Sequence, residues 1–386
     1  MAMMHHLFYK ILSAIETDKF DWSDAYIQPD LPVLLRTPGG NVPLDSELVT
    51  PEHILELANV VWEFANGTER TGLSAEAYLK KSSIREATDL VRASDDGGPE
   101  VPATRLRFII SSANCRKGYS VVVRKIPQDI PDMLAMGLPP VTKSLIGGAG
   151  LVLVTGPTGC GKSTVVASMV QEIRQSGRAG HIVIIADPLE YAHPSTNLCV
   201  VTNRQVGVDV ATYAEAAEDA LRMAPRVIEF GEIRDAETAL AALSLGESGH
   251  LVFTTLQAST VEGAVAKLIA LTAQNPGARE AILSCLKGVI RPALVPSTSH
   301  DRWQLACEFV LNEGEFKEAF AQNSNNAAAV RKLLRENTYP RFGLALNRSL
   351  EALIKANKVK EADALAASND ILPPTGSTQN RLNGVN

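Results

Sequence analysis

One run of residues combines glycines, a lysine and hydroxyl groups in an order that suits phosphate binding. It follows the apolar stretch Leu151 to Val154 and reads Gly156, Pro157, Thr158, Gly159, Cys160, Gly161, Lys162, Ser163 and Thr164. Glycines let such a loop curl so that backbone N–H groups face phosphate oxygens, and a helix beginning here adds its dipole. Lys162 would reach the β- and γ-phosphates, and the Ser163 hydroxyl would bind Mg²⁺. The run therefore predicts a P-loop that binds ATP and Mg²⁺ through residues 156–164.

Carboxylates follow two further apolar stretches. Asp187-Pro188-Leu189-Glu190 comes after His181 to Ile185, and Glu232 comes after Val227 to Phe230. Acids at the carboxyl ends of parallel strands face the nucleotide crevice. Either Asp187 or Glu190 could accept the proton of an attacking water, and Glu232 suits a Walker B acid beside magnesium-bound water.

Two residues in this region do not fit simple strands. Glu229 lies inside the apolar stretch Val227 to Phe230, where a strand buried on both faces should be nearly all apolar. It therefore faces a polar neighbour or marks a half-exposed strand. His250 precedes the apolar stretch Leu251 to Thr255, a region in which we expect a γ-phosphate sensor, with a structural histidine as the alternative.

The elements that would position these residues form two folded units. Short apolar stretches and a helical pattern over residues 52–64 predict an α+β domain at 1–127, and four prolines within residues 126–144 predict a stiff linker at 128–144. Apolar strands that alternate with helices predict a parallel sheet in the core, 145–312. We expect a mainly helical chain after Pro292, a helical C-terminal part at 313–369 and a disordered tail at 370–386.

Composition narrows the classes of function. The 386 residues carry a formal net charge of −6, which gives no global attraction to nucleic acid. Five scattered cysteines without CxxC spacing favour free thiols in a reducing cytosol. No apolar window reaches the roughly 20 residues that span a bilayer, and the first ten residues do not resemble a signal peptide. We therefore expect a cytoplasmic protein whose membrane association is peripheral, without a transmembrane segment.

Four motifs in this order resemble the secretion ATPases of the PilT and DotB type. They are GPTGCGKST, IADPLEYAH, GEIRD and SGHLVFTTLQAST, which look like that family's Walker A, Asp box, Walker B and His box. The resemblance extends over nearly the whole chain, including Ala329 to Glu336 among the C-terminal helices. It implies a RecA-like P-loop core with a smaller, PAS-like α+β N-terminal domain and a helical C-terminal part. It also implies a homo-hexameric ring that works with platform proteins of the inner membrane.

The resemblance implies individual roles as well. Glu190 would be the catalytic glutamate, Glu232 the Walker B acid that helps to bind magnesium, and His250 a coupling residue. Arg204 and Arg222 would be nucleotide-side or inter-subunit arginines. Arg105, Arg107 and Arg116 would reach the phosphates of the neighbouring subunit.

Several positions depart from the pattern of that family. Ala186 stands where an acid is common, Glu218 where an arginine is usual, and Arg226 where an aspartate is usual. Gln257 replaces the second histidine of the His box, and an amide forms hydrogen bonds but carries no charge.

The sequence thus predicts an ATPase that powers a type IV secretion or conjugative transfer apparatus, with a type IV pilus retraction motor as the alternative. Two rivals remain open. A nucleic-acid translocase is disfavoured by the acidic composition and by the absence of a basic stretch interleaved with aromatic residues. A nucleotide-gated adaptor with poor catalysis is suggested by Gln257 and Arg226.

Overall fold

The computed structural model describes residue 11 and residues 21–66, 84–90, 104–112, 118–126, 129–322, 327–336 and 342–368. The chain divides into two units, one of residues 1–129 with 299–302 and one of residues 130–298 with 303–386. The division falls two residues beyond the predicted end of the N-terminal domain. The predicted tail, 370–386, lies outside the described residues.

Among the residues that the structure describes, the first unit contains an antiparallel sheet and a long helix. Its strands are β1 (Asp24–Ile27), β2 (Leu34–Thr37), β3 (Gly40–Pro43), β4 (Ile84–Leu90), β5 (Thr104–Ser112) and β6 (Tyr119–Ile126), and its helix is α1 (Pro51–Asn66). The strand order is β3-β2-β1-β6-β5-β4. Alternate residues of β6, such as Val121 and Val123, are fully buried, because strand side chains point to opposite faces in turn.

The second unit contains an eight-stranded sheet. Its strands are β7 (Gly150–Thr155), β8 (Gly180–Ala186), β9 (Cys199–Gln205), β10 (Val227–Ile233), β11 (Leu251–Leu256), β12 (Leu286–Pro296), β13 (Trp303–Leu311) and β14 (Gly343–Leu344). The strand order is β14-β13-β12-β7-β11-β10-β8-β9. The neighbours from β12 to β9 pair in parallel, and β13 and β14 pair antiparallel. This sheet and its covering helices confirm the predicted α/β fold class.

Helices cover both faces of this sheet. They are α2 (Lys162–Ser176), α3 (Tyr213–Met223), α4 (Ala236–Glu247), α5 (Val261–Leu271), α6 (Ala278–Cys285), α7 (Gly314–Gln322), α8 (Ala327–Glu336), α9 (Leu346–Lys355) and α10 (Glu361–Ala367). Helix α2 packs on one face through Val165 and Val166. Asp235 caps α4 by accepting from the backbone N–H of Thr238, which confirms it as the N-cap.

The expected linker is part of the second unit. Residues 140–146 form a 3-10 helix, and Met133, Leu138 and Leu145 are buried in the same core as α2. The prolines within 126–144 therefore limit regular structure without separating this segment from the core. Burial of these apolar side chains corrects the predicted linker at 128–144.

The expectation of a mainly helical chain after Pro292 is also corrected, because β12 continues through Pro292 and pairs with β13. Pro292 is tolerated because its partner Cys307 directs its own N–H to Ser349 Oγ (3.1 Å) and not to β12. A proline without N–H therefore costs no bond to β13, and the pairing of β12 with β7 has already ended at Ile290. In the part of the chain that the structure describes, no helix combines the length and apolar character needed to cross a bilayer.

Candidate functional site

The P-loop connects the end of β7 to the start of α2. Gly156 and Gly161 have φ angles of 140° and 97°, a region that favours glycine. A Cβ at Gly156 would lie 2.5 Å from Sγ of Cys160, so this position also has no room for a side chain. Burial raises the pKa of the Cys160 thiol, which acts here as a packing group under the loop.

Two sets of hydrogen bonds hold the loop. Lys162 Nζ donates to the carbonyl oxygens of Gly156 (3.0 Å) and Pro157 (2.9 Å), so its ammonium lies across the loop. The buried Thr155 hydroxyl donates to the carbonyl oxygen of Leu256 (2.8 Å) at the end of β11. The P-loop is therefore tied to the strand that leads to Gln257, which is exposed at the same edge of the sheet.

The two predicted acid motifs meet at this edge through an arginine. Arg234 Nε lies 3.2 Å from Glu232 Oε2, and Arg234 Nη1 lies 3.3 Å from Asp187 Oδ2. Both pairs are partly exposed, so each adds little to stability, but together they place Arg234 between the two acid motifs. Sequence reasoning missed Arg234, and its place directly after β10 was the only signal that could have found it.

Gly231 is required where β10 bulges between Phe230 and Glu232. A Cβ at Gly231 would overlap the hydroxyl group of Tyr213, the first residue of α3. Burial raises the pKa of Tyr213 to about 12, so its hydroxyl stays protonated beside Asp187 and Glu232. The bulge thus sets the direction of the Glu232 carboxylate.

Glu190 lies in a more enclosed part of the crevice than Asp187. The neighbouring Tyr191 is buried, and its hydroxyl is 2.9 Å from Thr164 Oγ1 in the first turn of α2. Burial, with Glu190 and Glu229 as further causes, raises the pKa of Tyr191 to about 12. The structure thus brings Glu190 to the end of the P-loop, whereas the Asp187 carboxylate is held by Arg234.

His250 lies at the opposite edge of the sheet. Its backbone oxygen accepts from the Gly150 N–H (2.9 Å), and its Nδ1 is 2.8 Å from Ser248 Oγ. The length of β7, about 20 Å at roughly 3.3 Å per residue, separates this position from the P-loop. Within its own chain this placement favours the structural alternative for His250, and its role as a coupling residue stays a prediction.

The two arginines of the core form a cluster with acids on α3. Arg204 Nη1 lies 2.8 Å from Asp219 Oδ2, and Arg222 lies 3.6 Å from Asp219 and 3.9 Å from Glu218. Arg204 is on β9, which is separated from β7 by three strands. Arg222 is in the last turn of α3, whose terminal Met223 oxygen is 3.2 Å from His181 at the start of β8. Neither arginine is beside the P-loop of its own chain, so a nucleotide-side role in the same chain is not supported.

The arginines predicted to act on a neighbouring subunit belong to the first unit. Arg107 is on β5 and is 9% exposed in the single chain, so it would have to leave its present position to reach another subunit. Arg116 lies outside the described residues. The trans role of both residues stays a prediction.

The predicted magnesium ligands suit that ion. Ser163 supplies a hydroxyl in the first turn of α2 and Glu232 supplies a half-buried carboxylate, both of which are hard oxygen donors. Among the described residues, no group of three or more histidine, cysteine, aspartate or glutamate side chains is placed to hold a metal alone. Magnesium typically binds through one or two protein groups together with substrate phosphates and water, which this pair would allow.

With this geometry in place, comparison with known proteins decides the family. The sequence profile described as "Type II/IV secretion system protein" matches residues 99–358. The chain belongs to this family. Its curated relatives include the type IV pilus ATPase PilU of Pseudomonas aeruginosa, 36% identical over 209 residues that make up 53% of this chain and 54% of PilU. The P. aeruginosa retraction ATPase PilT is 37% identical over 199 residues, covering 51% and 57% of the two chains.

A Neisseria gonorrhoeae twitching motility protein is 31% identical over 258 residues, covering 67% of this chain and 62% of that protein. The chain thus spans about half to three fifths of the length of these relatives. Among solved structures, the pilus retraction motor PilT with bound ADP has a TM-score of 0.72 and 28% identity, covering 95% of this chain and 98% of that one. The Legionella pneumophila ATPase DotB has a TM-score of 0.77 at 24% identity, covering 95% and 96%, and shows a shared fold.

Proposed function

We propose that this protein hydrolyses ATP to ADP and phosphate and uses the reaction to do mechanical work in a homo-hexameric ring. The observation that carries the proposal is the gathering of the P-loop, Glu190 and Glu232 at one edge of a parallel sheet. The retraction ATPase PilT and the pilus ATPase PilU, both named as ATPases, are its relatives. The site is built from this chain's own residues and does not depend on that resemblance.

Each residue of the site has one task in the proposed reaction. Lys162 and the P-loop N–H groups stabilise charge on the phosphates, and Ser163 with Glu232 would hold Mg²⁺, which supplies further positive charge. Glu190 takes the proton from the attacking water as the oxygen bonds to the γ-phosphorus and the bond to the bridging oxygen breaks. Asp187 is the weaker candidate for this task because its carboxylate is paired with Arg234.

The test compares Lys162→Ala with Lys355→Ala, a matched control that removes an exposed lysine at the end of α9. Lys162→Ala should abolish hydrolysis and weaken nucleotide binding, because a cation is lost where charge develops in the transition state. Lys355→Ala should hydrolyse ATP at the wild-type rate. Steady-state phosphate release with Mg²⁺ measures both, and wild-type turnover in Lys162→Ala would refute the proposal.

We further propose that the machine is a type IV secretion or conjugative transfer apparatus and that the ring binds its platform proteins peripherally at the inner membrane. Support comes from departures from the pilus-motor pattern at Gln257, beside the P-loop strand, and at Glu218, in the cluster on α3. Direct nucleic-acid binding is not part of this proposal. Salt-sensitive stimulation of the ATPase by DNA would contradict that exclusion.

A type IV pilus retraction motor is the second candidate. It is favoured by the relatives reported above, two of which are named as pilus ATPases and one as a twitching motility protein. A strain that lacks the gene separates the candidates, because loss of substrate or DNA transfer with normal twitching supports the secretion machine. Loss of twitching with normal transfer supports the pilus motor.

A further inference from the structure

Glu229 is the third residue of β10, and the other three of that strand's first four residues, Val227 to Phe230, are apolar. In register it lies beside Ile184 of β8 and Phe253 of β11. Both neighbours belong to the core that also contains Val165 and Val166 of α2. Residues directly opposite in parallel strands share a face, so Glu229 faces α2, the helix that follows the P-loop.

Few groups near this carboxyl offset the free-energy cost of burying it. Its Oε2 atom is shielded from solvent and has no hydrogen-bond partner within the described ranges. The ionisable groups that act on it there are Glu190, after β8, and Tyr191, whose hydroxyl contacts Thr164 of α2. A second negative charge at this place would be both desolvated and close to Glu190.

Burial, followed by the nearby Glu190 carboxylate, raises the pKa of Glu229 to about 8. A carboxyl group with this pKa is mostly protonated at neutral pH. A protonated Glu229 places no negative charge beside Glu190, the proposed acceptor of the water's proton.

We propose that Glu229 holds a proton within the core under α2 and acts as a neutral neighbour of Glu190. Glu229 is a positioning residue. It stays neutral, so that no buried anion forms beside Glu190. The inference rests on the proposed role of Glu190 in ATP hydrolysis.

The proton on Glu229 predicts a loss of activity on the alkaline side. When the proton leaves Glu229, a buried anion forms beside Glu190, which disturbs the proposed general base, and hydrolysis falls. The rate of the wild-type protein should therefore decrease roughly tenfold or more between pH 7.5 and pH 9.5, relative to its own maximum. This decrease should be absent or much smaller in Glu229→Gln and Glu229→Leu, because neither side chain can ionise.

Thermal unfolding of the full chain supplies a readout that does not need hydrolysis. The folded protein keeps a proton on Glu229 up to about pH 8, whereas the unfolded chain releases it near the ordinary value of 4.5. The folded state therefore binds more protons in this window, and its stability falls as pH rises. From pH 5 to pH 9, the melting temperature of Glu229→Gln should rise relative to that of the wild type by on the order of 5 °C.

Glu237→Gln is the matched control, because Glu237 is exposed in the first turn of α4. It should keep the wild-type pH profile and the wild-type dependence of melting on pH. Melting curves of wild type and Glu229→Gln that stay parallel from pH 5 to pH 9 would overturn the proposal, as would an alkaline decrease that persists in both Glu229 variants. If no preparation hydrolyses ATP, the proposed function fails, and the melting comparison still decides whether Glu229 holds a proton.

Discussion

The two edges of the eight-stranded sheet differ in what their loops do. At the edge where the parallel strands end, the P-loop, Glu190 and the Asp187–Arg234–Glu232 bridge lie together. At the edge where the strands begin, His250 bonds to Ser248, and His181 bonds to Thr202 and to the Met223 oxygen. The first edge holds the groups that we propose to act on ATP, and the second holds groups that satisfy their own chain. The position of a residue relative to its strand therefore predicts more about its role than its chemical type does.

The largest expected effect comes from a charge that another subunit would add to the first edge. Arg116→Ala should be nearly inactive if this arginine stabilises the γ-phosphate of the neighbouring subunit, a contribution of about 10³-fold or more in related chemistry. Lys162→Ala should be inactive for a different reason. Rings assembled from both variants contain some interfaces with an intact P-loop and an intact arginine, so phosphate release should return.

The mixing experiment has its control in the unmixed variants, assayed at the same total protein concentration. Arg107→Ala is tested beside Arg116→Ala because both arginines are predicted to act on the neighbouring subunit. Arg107 is buried within its own chain. Full activity in both single variants would remove the trans arginine and indicate that the N-terminal unit is a docking module.

A smaller effect is expected for the general base. Glu190→Gln should bind ATP normally and hydrolyse it on the order of 10²-fold more slowly, because the amide cannot accept the proton of the water. Asp187→Asn should be less affected, since Asp187 pairs with Arg234. Single-turnover hydrolysis together with binding of a fluorescent nucleotide separates the two steps. Equal turnover of Glu190→Gln and wild type would move the role to Asp187 or Glu232.

The sequence predicted those elements of the fold and the site whose signals come from residues close together in the chain. The P-loop and the strands β7, β8, β10 and β11 were read correctly because apolar runs and glycine spacing are properties of neighbouring residues. The strand β13 was missed because Pro292 in β12 indicated a break, although β12 and β13 are consecutive in the chain and pair antiparallel. Arg234 was missed because only its contact with Asp187, 47 positions away, distinguishes it from a surface arginine.

Replacing Gln257 of the His box by histidine should have a modest effect on assembly and on the ATPase rate. Gln257 is exposed at the carboxyl edge, and its backbone oxygen accepts from Lys267 Nζ (2.9 Å), a contact that does not depend on its side chain. Gln257→His should therefore preserve assembly and keep the ATPase rate within several-fold, because both side chains form hydrogen bonds. Size-exclusion chromatography and phosphate release measure these properties, and a collapse of activity would show that the amide has a dedicated role.

The smallest effect on nucleotide binding is expected at the opposite edge. His250→Ala should leave the affinity for ATP within about twofold, because the length of β7, about 20 Å, separates His250 from the P-loop of its own chain. The substitution removes the contacts of Nδ1 with Ser248 Oγ and with the Leu245 oxygen, so stability should fall by about 1 kcal/mol. His181→Ala is the control, since His181 also lies at this edge and bonds within its own chain. Nucleotide titration and thermal unfolding give the two quantities. A tenfold loss of affinity in His250→Ala but not in His181→Ala would mean that His250 is coupled to the nucleotide despite its distance, and the contrast between the two edges would then not hold for this residue.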